Sequence, residues 1–369
     1  MLRILYGTAG TGKSAAIMDE IRRGADSGER YILLVPEQYS HEAERELCAV
    51  CGDGLSLYAE VLSFTGLARE ISSECGGAAN EYLDKGGRLL CMALAADGLY
   101  SRLRVYGAAR RKAELQTMLL GAVDEFKSAC VTSERLMQAS EACEGALGDK
   151  LHDLGLILEA YDGVVANGRA DPSDRLSVLA QQIGQCSMSE RTHVFVDGFT
   201  DFTAQERRVL EALLSKGVCL TVCLGCDELH GGSEVFALSR ITASALLKFA
   251  ADNGIKAQTE RFGGESTKAK PLGEFAENMF SYRAVEAGDA QGRIKIISAA
   301  DTNAECEFAA AEAVSLVRDT GCRWRDIAVC AKGFDDYRLP LESAFSRFGA
   351  PIYTCLLYTS PSPRDMRRS

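Results

Sequence analysis

Apolar residues recur in different rhythms along the chain. At the start, LRILY is a short unbroken apolar run, AAIMDEIRR has helical spacing, and ERYILLVPEQ is a second run that Pro36 stops. The order strand, glycine-rich loop, helix, strand predicts a parallel α/β sheet. From about Asn80 to Gln185 the rhythm becomes helical. In RRKAELQTMLLGAVDEFKSA, Leu115, Met118, Leu119, Ala122 and Phe126 mark one apolar face, and SERLMQASEACEGAL and DKLHDLGLILEAYDGVV continue alike.

That pattern predicts a helical insertion over 76–190, dividing a sheet domain into 1–75 and 191–285. Strands return with THVFVDGF and KGVCLTVCLG, and the polar GESTKAKPLGE reads as a loop. GRIKIISAA and RWRDIAVCAK predict two more strands around a helix from about Ala304 to Arg318, the start of a further domain over 286–354 that is cut short. After GAPIY the segment 355–369 is Ser/Pro-rich and basic with no periodic face, an aberrant or disordered tail.

Composition narrows the function classes. The chain has 369 residues, 25% charged and 47% hydrophobic, with a formal net charge of -11. That acidity argues against nucleic acid coating all sides, while leaving room for a local basic groove. No apolar run reaches the ~20 residues that span a bilayer, and no signal-peptide pattern precedes the first strand, so no membrane association and a cytoplasmic location are expected. The 14 cysteines read as buried thiols of a reducing compartment. Cys48 and Cys51 form a CxxC that follows a helix where a redox pair would precede one. Cys219 and Cys223, near Cys226 and His230, share one face of a strand, which favours core packing over a metal site.

The chemistry sits in GTAGTGKS. It satisfies GxxxxGK[ST] between a strand and a helix, the context that motif requires. Gly7, Thr8, Ala9, Gly10, Thr11 and Gly12 form a loop whose backbone N–H groups face phosphate oxygens, as does the start of the next helix. Lys13 reaches the β and γ phosphates, and Ser14 holds Mg²⁺, so ATP and Mg²⁺ are the expected cofactors. HVFVDGFTDFT ends an apolar strand in Asp197, the candidate second magnesium residue. Many such ATPases place a glutamate next as base for water, but here stands Gly198. Asp201 and Glu206 lie close by, Glu206 within a TAQE capping-box pattern that begins at Thr203. ATP binding is therefore better supported than turnover.

ILYGTAGTGKS, LLVPEQYSHEAE, the Ser and Phe of VLSFTGLA, and VDGFTDFTAQERRVLEALL together resemble the B subunits of the bacterial AddAB helicase-nucleases. ISAADTNAECEFAAAEAVSLVRDTGCRWRDIAVCAKGFDDY resembles the same family where its second helicase-like half begins, so the resemblance runs from Leu2 to about Tyr353. It implies a P-loop NTPase-like parallel sheet of the superfamily 1 helicase type. It also implies an ATP-binding subunit that pairs with an A subunit and processes double-stranded DNA ends for recombinational repair. The family's phosphate loop maps onto Gly7 to Ser14 and its second acidic motif onto Asp197. Its nuclease carboxylates and the late cysteine group for an iron-sulfur cluster match nothing in this sequence, so neither nuclease activity nor a cluster is expected of these residues.

Superfamily 1 helicases place strand-contacting loops where Tyr39 and His41, and Phe64 and Thr65, stand here; Phe64 would serve equally as a core residue. RLRVYGAARRK, with Arg110 and Arg111 among five basic side chains, reads either as part of a DNA channel or as a solvated helix start. Two other functions stay open: a P-loop small-molecule kinase, and a non-catalytic scaffold stabilised by ATP.

Overall fold

Side-chain alternation along the apolar runs decides the architecture. In this computed structural model, which describes residues 1–52, 54–76, 82–166, 168–263, 270–279 and 292–353, β1 (Leu2–Gly7) is followed by α1 (Lys13–Arg23), β2 (Arg30–Leu34), α2 (Ser40–Cys51), β3 (Ala59–Leu62) and α3 (Phe64–Glu74). Five helices come next: α4 (Lys85–Gly98), α5 (Ala113–Ser128), α6 (Ser133–Ala142), α7 (Ala146–Val165) and α8 (Arg175–Gln182). The sheet then resumes with β4 (Thr192–Val196), α9 (Ala204–Ser215), β5 (Cys219–Gly225), α10 (Ala237–Asp252), β6 (Ala257–Arg261) and α11 (Lys270–Asn278). All strand pairs are parallel, in the order β3-β2-β4-β5-β1-β6.

Both faces of this sheet are covered, which is why its strands read as continuous apolar runs. Leu2, Ile4, Ile32, Leu34, Val194, Val196, Leu220 and Val222 face α3, α8, α9 and α10 through Leu67, Leu179, Leu213 and Leu246. The alternate positions, Leu5, Leu33, Phe195 and Cys223, face α1 and α2 through Ile17, Ile21 and Leu47. β6 carries no such signal. Its sequence AQTER is exposed throughout, and it pairs with β1 through its backbone alone.

Of the helices between β3 and β4, α4, α5, α6 and α7 have their own core, which includes Met92, Leu119, Leu120, Val123, Leu136, Ile157 and Tyr161. The face of α5 is rotated from the expected one: Met118 is 56% exposed, whereas Leu120, Val123 and Lys127 turn inward. A charged group explains the rotation. Lys127 Nζ lies 2.9 Å from Asp162, 3.1 Å from Asp171 and 2.7 Å from Asp174, and Arg88 Nε lies 3.0 Å from the fully buried Asp171. Gln205 of α9 joins this group to the sheet, its Nε2 donating to Ser173 O at 2.8 Å and Ser177 Oγ at 2.9 Å.

The chain divides into two units, Met1–Gly288 and Asp289–Ser369. In the second, α12 (Thr302–Thr320) and α13 (Phe334–Arg347) pack through Ala310, Ala313, Leu341 and Phe345. Neither strand expected there forms. The described parts of GRIKIISAA and RWRDIAVCAK are irregular apart from a 3-10 turn at Trp324–Asp326, and Ile296 is 95% exposed. An apolar run becomes a strand only when a neighbour supplies the ladder, and among the described residues of this unit no strand is present to do so. The loop expected over GESTKAKPLGE is also corrected: from Lys270 onward it is α11. The expected tail 355–369 lies outside the described residues. Among those described, no helix is long and apolar enough to cross a membrane.

Burial alone would raise the Asp171 carboxyl, but the Ser173 N–H, Lys127 and Arg88 hold it below the usual carboxylate value. A lowered carboxylate contributes stability that is present above its unfolded pKa, about 3.9, and lost as the pH falls through the folded value. Urea unfolding of wild type should accordingly weaken below about pH 4. At pH 7 Asp171→Ala, which leaves Arg88 and Lys127 buried without their shared partner, should cost about 3–5 kcal/mol.

Candidate nucleotide-binding site

β1 ends at Gly7, in register with Gly225 of β5, and the chain turns there into α1. A Cβ on Gly7 would lie 2.3 Å from the Phe262 carbonyl oxygen and 2.8 Å from Thr11 Oγ1, so close approach of β6 and the loop demands glycine. Gly10 and Gly12 hold φ at 84° and 86°, the left-handed conformation that folds the loop back over the strand end. Gly12 caps α1 without a side-chain hydrogen bond, and the first turn carries no acidic residue. The helix thus starts with backbone donors and no side chain to receive them, the arrangement that suits an anion.

Lys13 curls over this loop. Its Nζ donates to Gly7 O and Thr8 O, both at 2.8 Å, and sits 3.4 Å from Thr11 Oγ1. Burial pushes its ammonium below the usual lysine value, while the Asp197 carboxylate acts in the opposite direction. Asp197 is thus within electrostatic reach of Lys13. The topology explains why: β4 and β1 are the two neighbours of β5, and the pairing of Val196 with Val222 brings Asp197 out beside Cys223. Alternation from Phe195 places Asp197 on the α1 side of the sheet. Ser14, in the first turn of α1, is exposed.

The turn after Asp197 is held at many points. Asp197 N donates to Leu34 O at 3.0 Å, and Gly198 N donates to Asp197 Oδ1 at 2.9 Å. Phe199 and Phe202 pack edge-on against Phe64, and Ser239 Oγ donates to Thr200 O at 3.1 Å. Thr203 and Glu206 form the reciprocal capping box of α9, with Thr203 N donating to Glu206 Oε2 at 2.8 Å and Glu206 N to Thr203 Oγ1 at 3.2 Å. Burial raises the Glu206 carboxyl above its usual value, and its oxygen is engaged by the cap.

The residues proposed for DNA contact fall in different settings. Tyr39 is 51% exposed in the turn after β2, and His41 is exposed at the start of α2. Thr65 is half-buried, whereas Phe64 is 5% exposed and belongs to the core, so its ring offers no face to a nucleotide base. Arg110 lies over the Tyr100 ring at 3.8 Å and pairs with Asp97 at 3.0 Å; Arg111 shares Asp97 at 3.1 Å but keeps 74% of its side chain exposed. The buried Asp153 fixes the start of that basic segment by accepting the N–H groups of Arg104, Val105 and Tyr106.

Sequence reading missed the loop after β5. Cys226 N donates to Gly7 O at 3.1 Å, and Asp227 accepts from Glu228 N at 2.8 Å and Ser233 N at 2.7 Å while Arg240 lies 3.3 Å away. The dense polar GCDELHGGS after an apolar run was the available signal. The neighbouring cysteines gather no metal set: Cys223 lies in the core, Cys226 Sγ donates to Glu228 O, and among the described residues no group of three or more His, Cys, Asp or Glu is placed to hold a metal ion.

Residues 4–275 match the family model described as ADDB, N-terminal. The chain belongs to the ADDB family. It is 33% identical over 368 residues to the B subunit of the ATP-dependent helicase/deoxyribonuclease of Desulforudis audaxviator, covering 95% of this chain and 32% of that protein. To the protein of the same name from Heliobacterium modesticaldum it is 34% identical over 373 residues, covering 95% and 30%. The corresponding figures for the Acetivibrio thermocellus protein are 29% over 368 residues, 95% and 32%. This ADDB chain therefore spans about a third of the length of these relatives.

Gly7→Ala should push β6 away from β1, because the added methyl meets backbone that a side-chain rotation cannot clear. A drop of several degrees in Tm is expected, about 2–4 °C for each kcal/mol lost, with faster amide exchange at 257–261 as the local readout.

Proposed function

We propose that this chain is the ATP-binding, helicase-like portion of a B subunit of an ATP-dependent helicase/deoxyribonuclease, built on a P-loop sheet of the superfamily 1 type. The observation that carries the reading is the placement of Lys13 and Asp197 on one side of the sheet, at the ends of the two strands that flank β5. Gly7 to Gly12 and the start of α1 would receive the phosphates. Lys13 now holds two neutral carbonyls, which an anionic phosphate oxygen outcompetes through a charge-assisted hydrogen bond. Ser14 and Asp197 would hold magnesium, whose charge screens the phosphates.

Turnover is less well supported than binding. The position after Asp197 is glycine, and Glu206 is committed to the capping box. We therefore assign the nucleotide a conformational role in this subunit. Tyr39, His41 and Thr65, at the carboxyl ends of β2 and β3, supply the surface for single-stranded DNA, with Arg111 as a more distant phosphate contact. Processing of double-stranded DNA ends for recombinational repair, with an A subunit as partner, belongs to the whole protein and is inferred from the family. The glycine after Asp197 and the capping role of Glu206 favour one rival, a scaffold that keeps ATP as a structural ligand.

Calorimetry with ATP and Mg²⁺ tests the reading. Lys13→Ala should lower affinity about 100-fold, the equivalent of one charge-assisted hydrogen bond of ~3 kcal/mol, with far-UV circular dichroism unchanged. Equal affinity in wild type and variant would sink the nucleotide site. If ATP binds but single-stranded DNA neither binds nor alters ATP affinity, the scaffold reading replaces the helicase-like one.

A further inference from the structure

The absence of a glutamate after Asp197 is built into the backbone as well as the sequence. Gly198 has φ of 82°, a conformation that side chains with a Cβ rarely adopt. A Cβ there would stand 3.3 Å from Pro36 Cδ and 3.8 Å from Pro36 Cγ. The Pro36 ring cannot rotate aside, since it closes on its own backbone. In this same left-handed turn the Gly198 N–H points back to Asp197 Oδ1 at 2.9 Å, while Asp197 N is tied to Leu34 O. One residue therefore does two things: it orients the Asp197 carboxylate, and its left-handed backbone, seated against Pro36, disfavours any residue that carries a Cβ.

The surroundings hold the turn in that conformation. Pro36 stands two residues past the end of β2, and Phe199, which follows Gly198, packs against Phe64 and Phe202. Thr200 O is bound by Ser239, which is 2% exposed. Relaxing residue 198 to an ordinary right-handed or extended conformation would require moving Asp197 on one side or Phe199 on the other.

We propose that Gly198 is a positioning residue for Asp197: its left-handed turn, seated on Pro36, sets the carboxylate for magnesium and excludes a catalytic glutamate from the next position. The inference rests on the nucleotide reading above and adds that the site is constructed to bind magnesium-ATP without a base at this position.

The test compares ATP affinity in Mg²⁺ with ATP affinity in EDTA, by calorimetry on the full chain. The gain in affinity from Mg²⁺ reads Asp197, and the EDTA value reads the P-loop and Lys13. Gly198→Ala should cut the magnesium-dependent gain about tenfold while leaving affinity in EDTA within twofold of wild type. Gly198→Asn, whose residue type tolerates the left-handed region, should keep more of the gain than Ala. Gly198→Glu should lose the gain as Ala does and acquire no ATP turnover. A general loss of folding would lower affinity in EDTA as well, and the Asn variant separates backbone conformation from added bulk. Three results overturn the inference: an unchanged magnesium gain in Gly198→Ala, a gain in Asn no larger than in Ala, or magnesium-dependent hydrolysis in Gly198→Glu above wild type. Wild-type protein that binds ATP equally in Mg²⁺ and EDTA overturns both this inference and the assignment of Asp197, whereas failure of the variants alone overturns only this one.

Discussion

The position of β5 between β4 and β1 is the constraint on which the candidate site depends. Parallel strands lie about 4.8 Å apart, so one intervening strand separates the ends of β1 and β4 by roughly 10 Å. That gap lies between the strand ends that lead to Lys13 and Asp197. It is narrow enough for each to feel the other's charge, as the opposing influence of Asp197 on the Lys13 ammonium shows. The floor between them is Cys223, whose thiol burial pushes up, so that it stays protonated and brings no charge of its own. Lys13 and Asp197 thus lie on one side of the sheet, to either side of the position of Cys223.

From Asp197 the chain passes through a fixed turn into α9 with no slack. The turn touches the end of β2 through Pro36, the start of α3 through Phe64, and α10 through Ser239. Its last residue, Thr203, caps α9, and two residues later Gln205 reaches the buried ionic group of the helical insertion. Rigid elements with satisfied polar groups transmit displacement better than loose loops do. Asp197 and the insertion are therefore the two ends of one continuous structure within the first unit.

How much of this could be read from sequence follows from where each signal resides. β1, β2, β4 and β5 are legible because burial on both faces writes an apolar residue at nearly every position. β3 is four residues long and β6 is an exposed edge. In both, the backbone ladder carries the strand, and side chains record little of it. The opposite error arises at GRIKIISAA and RWRDIAVCAK, where side chains suited to a sheet have no described partner to pair with. α5 was recognised as a helix, but its rotation depended on Lys127, a charged residue that hydrophobic periodicity treats as outward-facing. The glycine-rich turn between β1 and α1 was legible because its glycines are required by local geometry. Asp197 was legible as the end of an apolar strand. That Asp197 lies one strand away from the loop was not, because strand order is set by pairings between segments nearly 200 residues apart.

Gly198 shows why a sequence difference at one position can carry a different kind of information from the residue it replaces. A missing glutamate, taken alone, is a loss that one substitution could reverse. A glycine at φ 82° against Pro36 is a commitment, because the backbone path that orients Asp197 is also the path that a side chain at 198 disfavours. Binding and hydrolysis make separate geometric demands at this strand end. Binding needs a carboxylate held still, and hydrolysis needs a second one beside it with freedom to reach water. In this chain the first demand is met by a turn that works against the second, and Glu206, the next carboxylate set into this segment's hydrogen bonding, is consumed in starting α9. On the proposed reading, the output of a nucleotide bound here would be the position of the turn and of what is packed on it.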